Sequence, residues 1–346
     1  MSADHKIITP QSACDPESTS QNLEKFVVRK EKSSMNFKID PISRKAFRVS
    51  ACVDWLDVTI VLLRPSQFRH VQHAIEDVTG KKPWVRPLDK REDEGGIATS
   101  YKIRFRDDLA NDLASINRVL ENLKKKYPFA TKPSISGIEV ACDFWYKGQA
   151  ARQFLDTQKM TYRLQSSLFA SGSKPRQFDP KIGEEGTNRY MEEGTRLDPS
   201  LNFRIGNKWD CVSWQVYFKT VDEMKPIEQA RWRARVEVTL QGEALQDLGL
   251  NSLEDLQGYG FNKLTRFFRF RRPIEPARLA NGDLYKLCAI KANRKIHDST
   301  AERGIHSFTS IGRRDKWRKV RAESKHIEPD YELQDAVKGA LRRLKL

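Results

Sequence analysis

The sequence predicts an α+β fold: a curved antiparallel β-sheet with helices packed on one face, an open polar face that carries the site, and a basic C-terminal extension. Two observations predict it. Apolar and polar residues alternate in "ACVDWLDVTIVLL", "ISGIEVACDFWYKG", "CVSWQVYFKT" and "RARVEVTLQG", the pattern of strands with one buried face. Between and after these lie stretches with apolar residues at helical spacing, long enough to cover that buried face. The 346 residues suffice for one large domain or two ordinary ones with a substantial core.

In chain order, residues 1–35 are rich in Ser, Gln, Lys and Glu and read as a mobile tail. A first strand occupies "ACVDWLDVTIVLL", and "PSQFRHVQHAIEDVTG" follows as a helix with a Gly stop. "KPWVRPLDKREDEGG" is a charged connection, "ATSYKIRFR" a strand, and "DDLANDLASINRVLENLKKKYP" an amphipathic helix ended by Pro128. After the strand around 137–146 comes the helix "GQAARQFLDTQKMTYRLQ". Residues 171–199 are polar and Gly-rich and read as a long loop. "LNFRIG", "CVSWQVYFKT" and "WRARVEVTLQG" are strands, "SLEDLQGYGFNKLTRFFRF" is helical, and the chain from Arg271 onward is strongly basic. The expected organisation is a tail (1–35), a catalytic domain (36–272) and a basic region (273–346).

A net charge of +16 predicts attraction to a polyanion, nucleic acid first. No apolar run approaches the roughly 20 residues that span a bilayer, and the first residues lack the apolar core of a signal peptide, so no membrane partner and a cytoplasmic location are expected. The five cysteines, Cys14, Cys52, Cys142, Cys211 and Cys288, are scattered and never spaced as CxxC, which argues against a disulfide framework and a zinc site. Cys52 and Cys142 read as core thiols. His70 and His73 share a helix side, with no third ligand near in sequence, and read as surface or packing residues.

Strand alternation sorts the candidate chemistry. Ile138, Val140, Cys142 and Phe144 face a core, which sets Glu139 and Asp143 on the other side with Ala141 between them. Val212, Trp214, Val216 and Phe218 oppose Ser213, Gln215, Tyr217 and Lys219, while Ala234, Val236, Val238 and Leu240 oppose Arg233, Arg235, Glu237 and Thr239. For one such strand a solvated outer face is the simpler reading. If the three pair in one sheet, one face gathers Glu139, Asp143, Glu237, Arg235, Tyr217 and Lys219. Carboxylates from separate strands suit a hard divalent cation, Mg²⁺ or Mn²⁺, which relieves their repulsion. A phenol beside such an ion, with its pKa depressed, can attack phosphorus, and Arg235 or Lys219 can hold a non-bridging oxygen.

In their order and separations, "VDWLDVTI", "ISGIEVACDFWYKG", "NFRIG…VSWQVYFKT" and "RARVEVTLQG" resemble the four blocks of the Rep_trans family, over about residues 48–272. That family comprises rolling-circle plasmid replication initiators, filamentous-phage replication proteins of the RstA type, and NicK- or MobT-like relaxases. The resemblance implies nicking of one origin strand by a tyrosine that keeps the 5′ phosphate and frees a 3′-hydroxyl. It matches "QVYFK" to the tyrosine block, making Tyr217 the nucleophile followed by Lys219, although Phe218 stands where the family more often has an acid. It matches Arg235 and Glu237 to the family's RxE strand and Glu139 and Asp143 to its paired acids, which implies that Glu139 and Glu237 hold the metal with the first-strand acid and that Asp143 assists as a further ligand. It favours Asp54 as the first-strand metal ligand, whereas strand parity places Asp57 on the polar face, so Asp57 stands as the substitute. The implied partners are origin DNA, single-stranded or extruded as a hairpin, a host helicase and a second copy of the chain. The alternatives are a conjugative relaxase and a non-catalytic DNA-binding regulator.

Arg269, Arg271 and Arg272 of "FFRFRR" interleave with aromatics and read either as DNA contacts or as packing on the sheet. Arg313, Arg314, Lys316, Arg318, Lys319 and Arg321 of "GRRDKWRKVR" recur too densely for helix-pair salt bridges to absorb and read as DNA-facing. Tyr146, Tyr190 and Tyr259 read as packing or surface residues, with stacking on DNA as the alternative for Tyr190, and Tyr331 reads as a loop residue. An RNA-binding sheet would carry aromatics on its open face, whereas Trp214 and Phe218 point inward.

Overall fold

The computed structural model describes residues 42–88, 97–170, 175–179, 189–190, 196–222, 225–274, 304–305 and 327–346. The expected tail and the basic run Arg313 to Arg321 lie outside the described residues. Ile39–Leu346 form one compact unit.

The strands in chain order are β1 (Phe47–Gln67), β2 (Trp84–Pro87), β3 (Ile97–Arg106), β4 (Ser134–Tyr146), β5 (Pro175–Phe178), β6 (Arg189–Tyr190), β7 (Asn202–Ile205), β8 (Val212–Lys219), β9 (Val221–Asp222), β10 (Lys225–Pro226), β11 (Arg233–Gln241), β12 (Arg271–Pro273) and β13 (Ile327–Pro329). Among the described residues nine of them form one antiparallel sheet in the order β2-β3-β1-β4-β11-β8-β7-β5-β6, with β4 and β11 side by side near its centre. The expected loop over 171–199 therefore contains β5 and β6, which extend the sheet beyond β7, and the charged connection contains the edge strand β2. All three strands are too short to show an alternation.

β1 is longer than its apolar pattern because irregularities divide it. Its pairing with β4 slips between Val53 and Trp55 and again between Asp57 and Val58, and its pairing with β3 slips between Val61 and Ser66, around Pro65. Such bulges bend a strand and increase twist, which curves the sheet.

Helix α1 (Phe68–Thr79) ends on Gly80, whose φ of 67° lets its N–H reach the Glu76 carbonyl. Helix α2 (Leu113–Lys126) starts on Asp112, whose carboxylate accepts from the Ser115 N–H at 3.0 Å. Helix α3 (Ala150–Ser167) lies behind β4, β8 and β11, and the C-terminal helix α4 (Tyr331–Arg343) lies against β1 and the 3₁₀ segment Phe261–Phe267. Ile116, Leu120, Met160, Leu164, Val337 and Leu341 from these helices share one buried core with Leu56, Ile138, Val140, Val216, Val236 and Val238 of the sheet. The helices thus cover one face and leave the other to polar side chains. Among the described residues no helix is long and apolar enough to cross a membrane.

Candidate active site

The polar face is organised by cross-strand rows. Tyr217 of β8 stands opposite Arg235 of β11, which stands opposite Asp143 of β4. The next row carries Gln215, Glu237, Ala141 and Cys52, and the one after it Ser213, Thr239, Glu139 and Trp55. Only the methyl of Ala141 separates the rows that carry Asp143 and Glu139 along β4, leaving room there for longer side chains from β1 and β11.

The slip between Val53 and Trp55 bears on where Asp54 and Asp57 point. Ahead of it Ser50 and Cys52 share the polar face, and beyond it Trp55 and Asp57 do, so parity changes at Asp54 and both acids lie on that face. Their partners differ. Asp57 is buried and held by Arg104 of β3 through Nε at 2.6 Å and Nη2 at 2.7 Å. Asp54 points to the centre, where it accepts from Arg235 Nη1.

Asp54, Glu139 and Glu237 each bring a carboxylate oxygen within 4.8 Å of the others. That spacing fits oxygen ligands at roughly 2.0–2.6 Å around one hard cation after small side-chain adjustments. Burial raises the Glu139 pKa, with the charge of Asp54 adding to it against the Thr239 hydrogen bond. Burial also raises Glu237 well above the carboxylate range, reinforced by Glu139 and Asp54 and opposed by Arg235 and the Tyr217 hydroxyl. A divalent cation would offset the mutual repulsion that raises both glutamates, so the donor set fits such a metal.

Arg235, 2 % exposed, is the resident counter-charge. It donates to Asp143 through Nε at 2.6 Å and Nη2 at 2.7 Å, and its Nη1 lies 3.3 Å from Glu237 Oε1. Burial works against its charge, but Asp143 and Glu237 outweigh that and hold it protonated. Asp143 also forms an ion pair with Arg233 at 3.1 Å, so both its oxygens face guanidinium groups and it orients Arg235, outside the three-acid cluster.

The Tyr217 hydroxyl donates to Glu237 Oε1 at 2.6 Å. Its pKa is raised well above that of a free phenol by burial first and by the Glu237 charge second, with Arg235 opposing. In the metal-free chain burial and then the carboxylates outweigh the guanidinium; the expected depression concerns the phenol beside a bound ion. Lys219 lies one row beyond Tyr217 on the same face, with Nζ 2.9 Å from Asp222 Oδ1.

Cys142 is a core thiol as expected, but Cys52 lies on the polar face with its sulfur 3.9 Å from Arg235 Nη2, and burial pushes its pKa up to about 12. The even residues of β1 face the acids ahead of the bulge, which its apolar pattern conceals. His70 and His73 are exposed on α1. Tyr146 packs on Phe47, Tyr259 packs on Phe261, and Tyr331 is exposed at the start of α4. In "FFRFRR", Phe268 and Phe270 enter the core, Arg269 is exposed, Arg271 lies 4.0 Å over the Phe169 ring and Arg272 pairs with Glu328.

Sequence reasoning missed two groups. Thr239 donates to Glu139 and orients it, and Arg104 holds Asp57 out of the cluster. The alternation of Lys102, Arg104 and Arg106 in "KIRFR" was a legible sign of the second. Aromatics are also present on this face, contrary to the expectation from β8 alone: Trp55 and Trp145 stand in its cross-strand rows.

No family model matches the chain, and no curated protein matches it. Among solved structures, it is similar to the rolling circle replication initiator protein from Geobacillus stearothermophilus with a TM-score of 0.34 and 14% identity, over 70% of this chain and 96% of that one.

Proposed function

We propose that this protein nicks and rejoins one strand of origin DNA to start rolling-circle replication, with Tyr217 as nucleophile. The observation that carries the proposal is the 2.6 Å hydrogen bond from the Tyr217 hydroxyl to Glu237, itself one of three clustered acids. In the proposed step the phenolic oxygen bonds to the scissile phosphorus, the bond to the 3′-oxygen breaks, and the phenolic proton passes to Glu237. The products are a 5′-phosphotyrosine and a strand whose 3′-oxygen takes up a proton and primes synthesis. Reversal rejoins the strand without ATP. Asp54, Glu139 and Glu237 would hold Mg²⁺ or Mn²⁺, which supplies positive charge beside the phosphoryl oxygens when bound. Arg235, fixed by Asp143, presents a guanidinium at the same point and stabilises charge developing there. A conjugative relaxase is the same chemistry in another setting, differing only in whether transfer or replication follows. In this reading residues 36–272 form the nicking domain, and basic residues of the segment from 273 to 346 grip the flanking duplex while α4 packs on the sheet.

A second reading, a DNA-binding regulator without cleavage, is favoured by the raised Tyr217 pKa, which disfavours the phenolate in the metal-free chain. Incubation with supercoiled plasmid carrying the cognate origin and Mn²⁺ separates the two. A detergent-stable protein–DNA adduct, absent for Tyr217→Phe, supports the nicking reading. Retention of the plasmid without an adduct, alike for both proteins, supports the regulator.

A further inference from the structure

Beside the acid cluster the polar face continues into a groove of about 440 Å³, lined by residues of β1, β2, β3, β7, β8 and β11 and by the turn between β7 and β8. Glu139 and Thr239 line it too, so the groove opens onto the cluster. Its charge is one-sided: Arg86, Lys102, Arg104, Arg106, Arg204 and Lys208 stand against the carboxylates of Asp57 and Glu139. Of those two acids, Asp57 is held by Arg104 and Glu139 accepts from Thr239. A groove lined by one sign of charge concentrates the opposite sign, here an anion.

Its aromatic residues narrow the choice of anion. Trp84 on the edge strand is 40 % exposed, and Trp209 in the β7–β8 turn is 76 % exposed. Single exposed indoles need no explanation, but these two line one cationic groove. The Arg104 guanidinium lies 3.8 Å from the Trp55 ring centroid and 5.1 Å from that of Trp84, while its other contacts clamp Asp57. Trp55, Arg104 and Trp84 thus form a pre-set stack with an exposed indole at one end. Exposed indoles beside a track of cations fit bases with open π-faces on a phosphate backbone. A duplex hides those faces inside its own stack, and a mononucleotide spans too little of the track.

We propose that this groove binds a single-stranded DNA segment adjoining the nick site, with bases stacked on Trp84 and Trp209 and phosphates held by Arg86, Arg106 and Lys208. Only its position relative to Tyr217 rests on the function proposed above, because binding in the groove requires no cleavage.

The test uses the full chain, wild-type and Tyr217→Phe, with EDTA present so that nothing is cut. A fluorescein-labelled oligodeoxynucleotide of about eight nucleotides is titrated and followed by anisotropy. Both proteins are expected to bind alike, with a duplex of the same sequence and dTMP each competing at least about tenfold less well. Trp209→Ala, at an exposed turn, is expected to weaken binding about tenfold with an unchanged circular dichroism spectrum, and Trp84→Ala to do likewise. Arg86→Ala with Arg106→Ala is expected to reduce the salt slope of log K by about 0.7 for each phosphate no longer neutralised. Wild-type affinity in both tryptophan variants overturns the proposal, as does equal competition by duplex or by dTMP. Tryptophan-dependent binding without any plasmid adduct would sink the nicking reading and leave the groove standing. An adduct with oligonucleotide binding indifferent to both tryptophans would do the reverse.

Discussion

Replacing Glu237 by Gln removes one of three acids whose oxygens lie within 4.8 Å of one another, and at an effective dielectric of ~20 each ionised pair at that distance repels by roughly 3 kcal/mol. Arg235 offsets part of this, yet Glu237 and Glu139 remain raised, so burial and repulsion outweigh it. The sign follows from linkage. The folded metal-free chain binds more protons at these sites than the unfolded chain does, so its stability falls as pH climbs from the ordinary carboxylate range through the raised values. Glu237→Gln keeps an acceptor for the Tyr217 hydroxyl and should stabilise the metal-free protein at neutral pH by about 1–3 kcal/mol, with a flatter pH profile. A divalent ion should reverse the ranking. At a hundred times its dissociation constant it stabilises the wild type by about 2.7 kcal/mol, and the variant, lacking a ligand, by much less. Thermal melts from about pH 5 to 8, with EDTA or Mn²⁺, read both effects at roughly 2–4 °C per kcal/mol. A lower Tm for the variant in EDTA at neutral pH, or equal Mn²⁺ stabilisation of both proteins, would refute the reasoning.

Three further outcomes are expected. Asp54→Asn should lower Mn²⁺ affinity by about tenfold or more in calorimetric titration, whereas Asp57→Asn, whose carboxylate belongs to Arg104, should leave it within about twofold; equal losses would mean the bulge assigns the two acids wrongly. Arg235→Met leaves Asp143 buried with only Arg233 beside it and should cost about 3–5 kcal/mol in urea unfolding, so an unchanged midpoint would show that the pair contributes nothing. At Gly137 a Cβ would stand 3.0 Å from Trp55 Cζ3 and 3.3 Å from Asp57 Oδ2, so Gly137→Ala should destabilise by about 1–3 kcal/mol and weaken oligonucleotide binding, and a variant with native Tm and affinity would show that the face yields freely.

The two faces of the sheet were legible from residue order alone. Alternation in β4, β8 and β11 places Glu139, Tyr217, Arg235 and Glu237 on one side, because side chains on a strand have a period of two and nothing interrupts it there. The helix stops at Gly80 and before Pro128 were legible for equally local reasons. Other features depend on how the strands pair and which side chains meet across them. Asp54, Cys52 and Trp55 owe their places to an extra residue in β1, and a bulge is a property of two paired strands that no single strand's pattern displays. Asp143 stands beside Glu139 in the sequence pattern yet belongs to Arg235, since that choice depends on which guanidinium reaches it across the sheet. The groove joins Trp84 on one edge to Trp209 beyond β7, residues far apart in the chain that meet on one surface because the antiparallel order brings β2 and the β7–β8 turn to the flanks of the same acids.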